Sequence, residues 1–165
     1  MTLKTVQSRF REIAEAIGSN ESLRTTAQHD GSAHAEQVGD QYFYVVTERG
    51  SEFERRETSD PEELLSWFVR DLTSVIAGDW ELKNRAKSQD SRRLRFAKHV
   101  ELLRGINNSW ANQQQSHYQS VLLRHPFDDA SSDRVDYYVN LQKQGIEDKK
   151  AWQLALARFP EPKAT

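Results

Sequence analysis

A chain of 165 residues is long enough for one domain with a real core, and its four Trp, five Tyr and seven Phe argue against disorder even though only 36% of it is hydrophobic. The net charge of −2 argues against a generic nucleic-acid binder, and the absence of cysteine excludes disulfides, thiolate catalysis and cysteine-ligated zinc. No apolar run reaches the ~18 residues of a membrane span, and the first residues lack the apolar stretch of a signal peptide, so the chain reads as cytoplasmic and not membrane-bound.

Leu3, Val6, Phe10, Ile13, Ala14 and Ile17 recur at spacings of three and four, which predicts an amphipathic helix stopped by Gly18-Ser19-Asn20. Residues 22–39 are polar and hold two glycines. They read as loop, with a short strand at residues 23–26. His29 and His34 lie there without the acidic spacing of a metal site and read as solvated.

Gln41-Tyr42-Phe43-Tyr44-Val45-Val46-Thr47 is the most β-prone run of the chain and is apolar on both alternating faces, so it reads as a strand covered on both sides. Glu48-Arg49-Gly50-Ser51 supplies a turn. The return strand to Thr58 holds Phe53 as its one large apolar residue among Glu52, Glu54, Arg55, Arg56 and Glu57, which suits a charged edge. A lone hairpin is marginal and needs helices against it.

Ser59-Asp60-Pro61-Glu62-Glu63 is a helix start, with Asp60 as cap, Pro61 in the first turn and Glu63 completing a capping box. Leu64, Leu65, Trp67, Phe68, Leu72, Val75 and Ile76 keep the helical period to about Lys87. A break near residues 88–90 separates this helix from one carrying Leu94, Phe96, Ala97, Val100 and Leu103, which Gly105 ends. A further helix starts near residues 107–109 and stops at Pro126. Two shorter ones follow: Val135, Tyr138, Val139 and Leu141, ending at Gly145, and Trp152, Leu156 and Phe159, ending at Pro160. The expected fold is α+β and mostly helical: a small antiparallel hairpin packed against about six helices in one domain, 1–165.

No phosphate loop, nucleophile elbow or zinc-binding helix motif is present, so no catalytic residue, cofactor or metal is assigned. A small hydrolase using His29, Asp30 and His34 is the enzymatic alternative. Charge is segregated. Residues 36–63 hold nine acids against three bases, a net −6; residues 83–104 net +6; residues 128–148 net −4. These elements either neutralise one another or present a patch to an oppositely charged partner. A nucleic-acid adaptor acting through residues 83–104 is a further alternative. Gln89-Asp90-Ser91-Arg92-Arg93-Leu94-Arg95-Phe96 is either an ion-paired joint or a binding surface. Asp90 and Arg93 can pair on one helix face, and Asp71 or Glu81 on the preceding helix can meet Arg92 or Arg93.

The order Tyr44-Val45-Val46-Thr47-Glu48-Arg49-Gly50, Leu64-Leu65-Ser66-Trp67, Trp80-Glu81-Leu82, Arg85, Gln89-Asp90-Ser91-Arg92-Arg93 with Phe96, Glu101-Leu102-Leu103, Trp110 and His125-Pro126-Phe127-Asp128-Asp129 resembles the immunity protein 63 family. The resemblance covers residues 40–129, with 1–39 as an N-terminal helix and loop and 130–165 as a C-terminal helical pair outside it. It implies a non-enzymatic antidote of a bacterial polymorphic-toxin system, which binds a cognate toxin domain and blocks its active site or substrate groove. It further implies that Asp90, Arg92, Arg93 and Phe96, with Asp71 and Glu81, are scaffold. Trp67, Trp110 and Phe127 read as core beside them. Partner contacts are then expected on Glu48, Arg49, Glu52, Glu54, Arg55, Glu57, Asp128 and Asp129.

Overall fold

The computed structural model describes residues 2–164, which hold six helices and a three-stranded antiparallel sheet: α1 (Leu3–Ala16), β1 (Asp30–Val38), β2 (Gln41–Glu48), β3 (Ser51–Thr58), α2 (Pro61–Asn84), α3 (Ser91–Ile106), α4 (Asn108–Arg124), α5 (Ser131–Lys143) and α6 (Asp148–Arg158). The α+β, mostly helical expectation holds. The chain forms two compact units, residues 1–75 and 76–165, with α2 contributing to each.

In the first unit the sheet order is β1-β2-β3, so the β-prone run is the central strand and the charged run is an edge. Residues 22–39 depart from the expected loop. The strand is β1, Asp30–Val38, and residues 23–26 lie outside any strand. Its sequence, Asp-Gly-Ser-Ala-His-Ala-Glu-Gln-Val, has little β-propensity. Pairing with β2 from Val38↔Gln41 to Ala33↔Val46 supplies what propensity does not. Arg49 and Gly50 both take positive φ, +50° and +82°, the pattern of the two-residue turn whose twist matches a hairpin.

Across the ladder, Ala35, Tyr44 and Arg56 stand in one row and project to the side where Tyr44 meets Trp67 and Phe68 of α2, at 6.3 and 4.9 Å between ring centres. Phe10 of α1 meets Phe68 edge-on, so α1 shares this core. Val6, Ala14, Leu64, Leu65, Val69 and Leu72 complete it. Truncating Leu64 or Leu65 to alanine would cost roughly 2–5 kcal/mol. Trp67, expected in the core, is half-buried, and the Arg56 guanidinium lies over it and over Tyr44. Val75, expected inside, is 63% exposed.

Asp60 caps α2 through its carboxylate and the Glu62 N–H, 2.9 Å, as expected. Glu63 does not reach back to the cap. Its carboxylate accepts from the Thr58 hydroxyl, whose oxygen accepts from the Asp60 N–H, so Thr58 relays the interaction a capping box would make directly.

In the second unit α2 ends at Asn84, three residues before the expected Lys87. Asp90 caps α3 by accepting from the Arg92 N–H, and Asn107 caps α4 by accepting from the N–H groups of Ser109 and Trp110. His99, Val100 and Leu103 of α3 face Trp110 and Ala111 of α4 in the buried set. Ala97 turns outward and Phe96 and Phe127 are half-buried, because the seam follows residues 99, 100 and 103. α5 ends in a Schellman arrangement: Gly145, at φ +84°, donates to Gln142, and Ile146 donates to Leu141. α6 buries Ala151 and Ala155 instead of Trp152, which is 36% exposed, so its buried stripe sits one position from the expected one.

Candidate functional site

On the sheet face opposite Tyr44, the rows are Glu36, Phe43, Glu57 and His34, Val45, Arg55. Arg55 organises this face. Its guanidinium forms two hydrogen bonds to Glu52, 3.0 and 2.8 Å, and one to Glu36, 3.0 Å, and it lies 5.1 Å from the centre of the Phe43 ring. One cation from β3 therefore crosses the central strand to β1. The hydrogen bonds from Arg55, more than its charge, hold the Glu52 carboxyl below the usual carboxylate range. Val45 and His34 are buried on the same face, and His34 Nε2 meets Glu36 at 3.2 Å.

A β-bulge sits beside the turn. Thr47 pairs with Glu52 and Val46 with Glu54, which leaves Phe53 as the extra residue. Phe53 is 68% exposed between two glutamates. Sequence reading placed it on the edge strand, but the bulge that releases it has no signature in Ser-Glu-Phe-Glu. Glu48 and Arg49 pair loosely at 3.7 Å, with the Arg49 side chain 90% exposed. Three bases cannot compensate nine acids between residues 36 and 63, so an acidic surplus remains on this segment.

On the helix side of the sheet the Tyr44 hydroxyl donates to Asp71 at 2.5 Å. Desolvation, then the hydrogen bond to Asp71, raises the Tyr44 phenol well above its ordinary value, and desolvation also raises the Asp71 carboxyl. Tyr44→Phe is expected to cost about 1–2 kcal/mol in urea unfolding at pH 7, because it removes a donor from a desolvated carboxylate while keeping the ring contacts.

The arginine-rich stretch ties α3 to the segment after α4. Asp90 accepts from the Arg92 side chain at 2.7 Å and from the Asp128 N–H at 2.8 Å. Arg92 also donates to the carbonyls of His125 and Pro126 at 3.0 and 2.7 Å. Arg93 forms a two-bonded pair with Asp129, 2.7 and 2.8 Å, and lies 4.2 Å from the centre of the Phe127 ring. Phe96 stacks on Tyr118 at 3.7 Å and 6°.

One expectation for this joint is corrected. Glu81 is taken by Arg85 one turn along α2, 2.9 and 2.8 Å, and Asp71 by Tyr44, so the acids that hold Arg92 and Arg93 are Asp90 and Asp129. Asp128, expected as a partner contact, is held by Arg134 through two bonds, 2.8 and 2.9 Å. Asp129 is engaged by Arg93 and by the Asp90 N–H. Arg134 was not singled out from the sequence. It is 3% exposed, and it also donates to the carbonyls of Phe159 and Pro160. A lone arginine in a polar helix gives no signal of burial; only the doubled Asp128-Asp129 before it hints at a pairing demand.

His29, Asp30 and His34 do not assemble as a catalytic set. Asp30 accepts from Ser32 and Arg24, while His34 is buried beside Glu36. No group of three metal-ligating side chains occurs among the described residues, and none of their helices is long and apolar enough to cross a membrane.

A mostly helical α+β fold with a charged sheet face in one unit and internal ion pairs in the helical unit is the class of protein defined here. Residues 39–120 match the family described as Immunity protein 63, which supports an immunity role with a cognate toxin as partner. Families of this description are generally non-enzymatic. The match takes in the sheet's two later strands, α2, α3 and most of α4, and it stops short of His125-Pro126-Phe127-Asp128-Asp129. No curated protein and no solved structure gives a significant match.

Proposed function

We propose that the chain is the cytoplasmic antidote of a polymorphic-toxin system, and that it neutralises its toxin domain through the β2–β3 hairpin and the sheet face around Arg55. The observation that carries this reading is Phe53, an exposed aromatic on a bulge between Glu52 and Glu54. Interface hot spots are aromatic anchors ringed by polar groups, and Phe53 stands in such a setting. Arg49, Glu48, Glu57 and the Arg55 cluster form the surrounding polar ring. The acidic surplus suits a basic partner surface, such as the substrate groove of a nuclease that acts in the cytoplasm, which the antidote would occlude.

Charge of this kind raises association rates about 10–10³-fold at low salt. Charge reversal at Glu52, Glu54 and Glu57 is therefore expected to slow association with the toxin domain encoded beside this gene at least about tenfold at low salt, and to flatten its salt dependence. Surface plasmon resonance at two salt concentrations reads both. Co-expression with that domain, scored for growth rescue and co-purification, tests the pairing itself. Unchanged affinity and salt dependence in the reversed variant would sink the hairpin as the contact surface.

A further inference from the structure

The helical unit carries a groove between α3 and α4 that the immunity reading does not use. It encloses about 400 Å³ and is lined by Phe96, Val100, Tyr118, Leu122 and Phe127, with Arg93 and Arg104 as its charged walls and no carboxylate in its lining. The helices that form it are mainly basic. Residues 91–124 hold six bases and one acid. Arg93 shares its charge with Asp129, but Arg104 donates to the neutral side-chain oxygen of Gln115 at 3.1 Å, so that bond leaves its charge uncompensated. Arg93 and Arg104 are eleven residues apart on one helix, about 16 Å at 1.5 Å per residue. An extended segment covers that distance in about five residues.

We infer that this groove is a docking surface for an extended, apolar segment of a protein partner that carries a carboxylate at each end. The carboxylates meet Arg93 and Arg104, and the side chains between them enter the apolar floor. The rings favour a peptide over a nucleic acid: one face of Phe96 and of Tyr118 is already taken by their mutual stack at 3.7 Å, and one face of Phe127 by the Arg93 guanidinium, which leaves less ring surface for bases. The groove still needs an apolar filler, which an aliphatic or aromatic side chain supplies. The groove belongs to the helical unit and the hairpin to the other, and the inference stands whether or not the hairpin binds the toxin.

The test uses the full chain and a fluorescein-labelled hexapeptide with glutamates at its ends and Leu-Phe-Val-Leu between them. A second peptide has lysines in place of the glutamates, and a labelled oligothymidylate of similar length is the third ligand. Fluorescence anisotropy is expected to show saturable binding of the glutamate peptide, at least tenfold tighter than of the other two. Arg104→Ala is expected to weaken it about fivefold, the size of one exposed charge pair, and Arg104→Glu further. Arg104 is exposed, so both variants retain the fold, which circular dichroism checks. Equal binding of the two peptides, indifference to Arg104→Glu, or tighter binding of the oligonucleotide would each overturn the assignment.

Discussion

Arg134→Met is expected to lower the stability of the helical unit by roughly 3–5 kcal/mol, the largest single-residue effect anticipated outside the apolar core. The guanidinium is 3% exposed and makes four hydrogen bonds: two to the Asp128 carboxylate and one each to the carbonyls of Phe159 and Pro160. Methionine keeps much of the volume and removes every one of those donors. Asp128, whose side chain is 22% exposed, then loses its counter-charge, and two carbonyls lose their partner. Urea unfolding followed by circular dichroism measures the loss. The paired substitution Arg134→Met with Asp128→Leu is expected to be milder than Arg134→Met alone, because it leaves no uncompensated carboxylate. If the pair were instead as costly as the sum of the two single changes, the ion pair would not be the source of the effect.

The second large effect is on pH dependence and comes from Asp90. Partial burial opposes its charge, but hydrogen bonds from the Arg92 side chain, the Asp128 N–H and the Arg92 N–H, together with the Arg92 charge, outweigh burial and bring the carboxyl down to about 2. A carboxyl whose value falls on folding stabilises the native state above the unfolded value. That stability is lost as pH falls through about 4 towards 2. It amounts to about 2 kcal/mol at neutral pH, since each tenfold shift in proton affinity is worth about 1.4 kcal/mol. Asp90→Asn retains a capping side chain at the start of α3 and removes only the charge. It is expected to be about 2 kcal/mol less stable than the parent at pH 7, with the gap closing as pH approaches 2. Urea midpoints at pH 7, 4 and 2.5 give the comparison. A gap that stayed constant across that range would assign the role to capping geometry alone.

These two residues mark different degrees of legibility. Asp90 stood out because it precedes two arginines at helical spacing and sits where the apolar period breaks, and both properties are local. Its partners are only partly local: Arg92 is two residues on, but the Asp128 N–H comes from the segment after α4. The sequence offered Asp71 and Glu81 as acids for Arg92 and Arg93, since they lie on the preceding helix, but Tyr44 and Arg85 take those carboxylates. Arg93 then finds Asp129, thirty-six residues ahead. Which acid meets which base depends on how the chain returns after α4, and no spacing rule encodes that return.

The surface followed the same division. Alternation and charge identified the hairpin, its turn and its charged edge. The bulge that turns Phe53 outward, and the reach of Arg55 over Phe43 to Glu36, depend on strand pairing across two ladders. The strand β1 shows the limit most plainly, for its composition is that of a loop.

By itself, then, the sequence determined the number, order and near-boundaries of the helices, the central strand and its hairpin, and the segregation of charge. Each follows from periodicity, capping residues and composition, which act over a few neighbouring positions. The tertiary structure alone decided that residues 30–38 form a strand, that Arg134 is buried, that Asp128 and Asp129 pair with Arg134 and Arg93, and that Phe53 is exposed. Each of these depends on a partner brought near by packing, and pairing energy with a distant residue outweighs the weak local preference of the segment concerned.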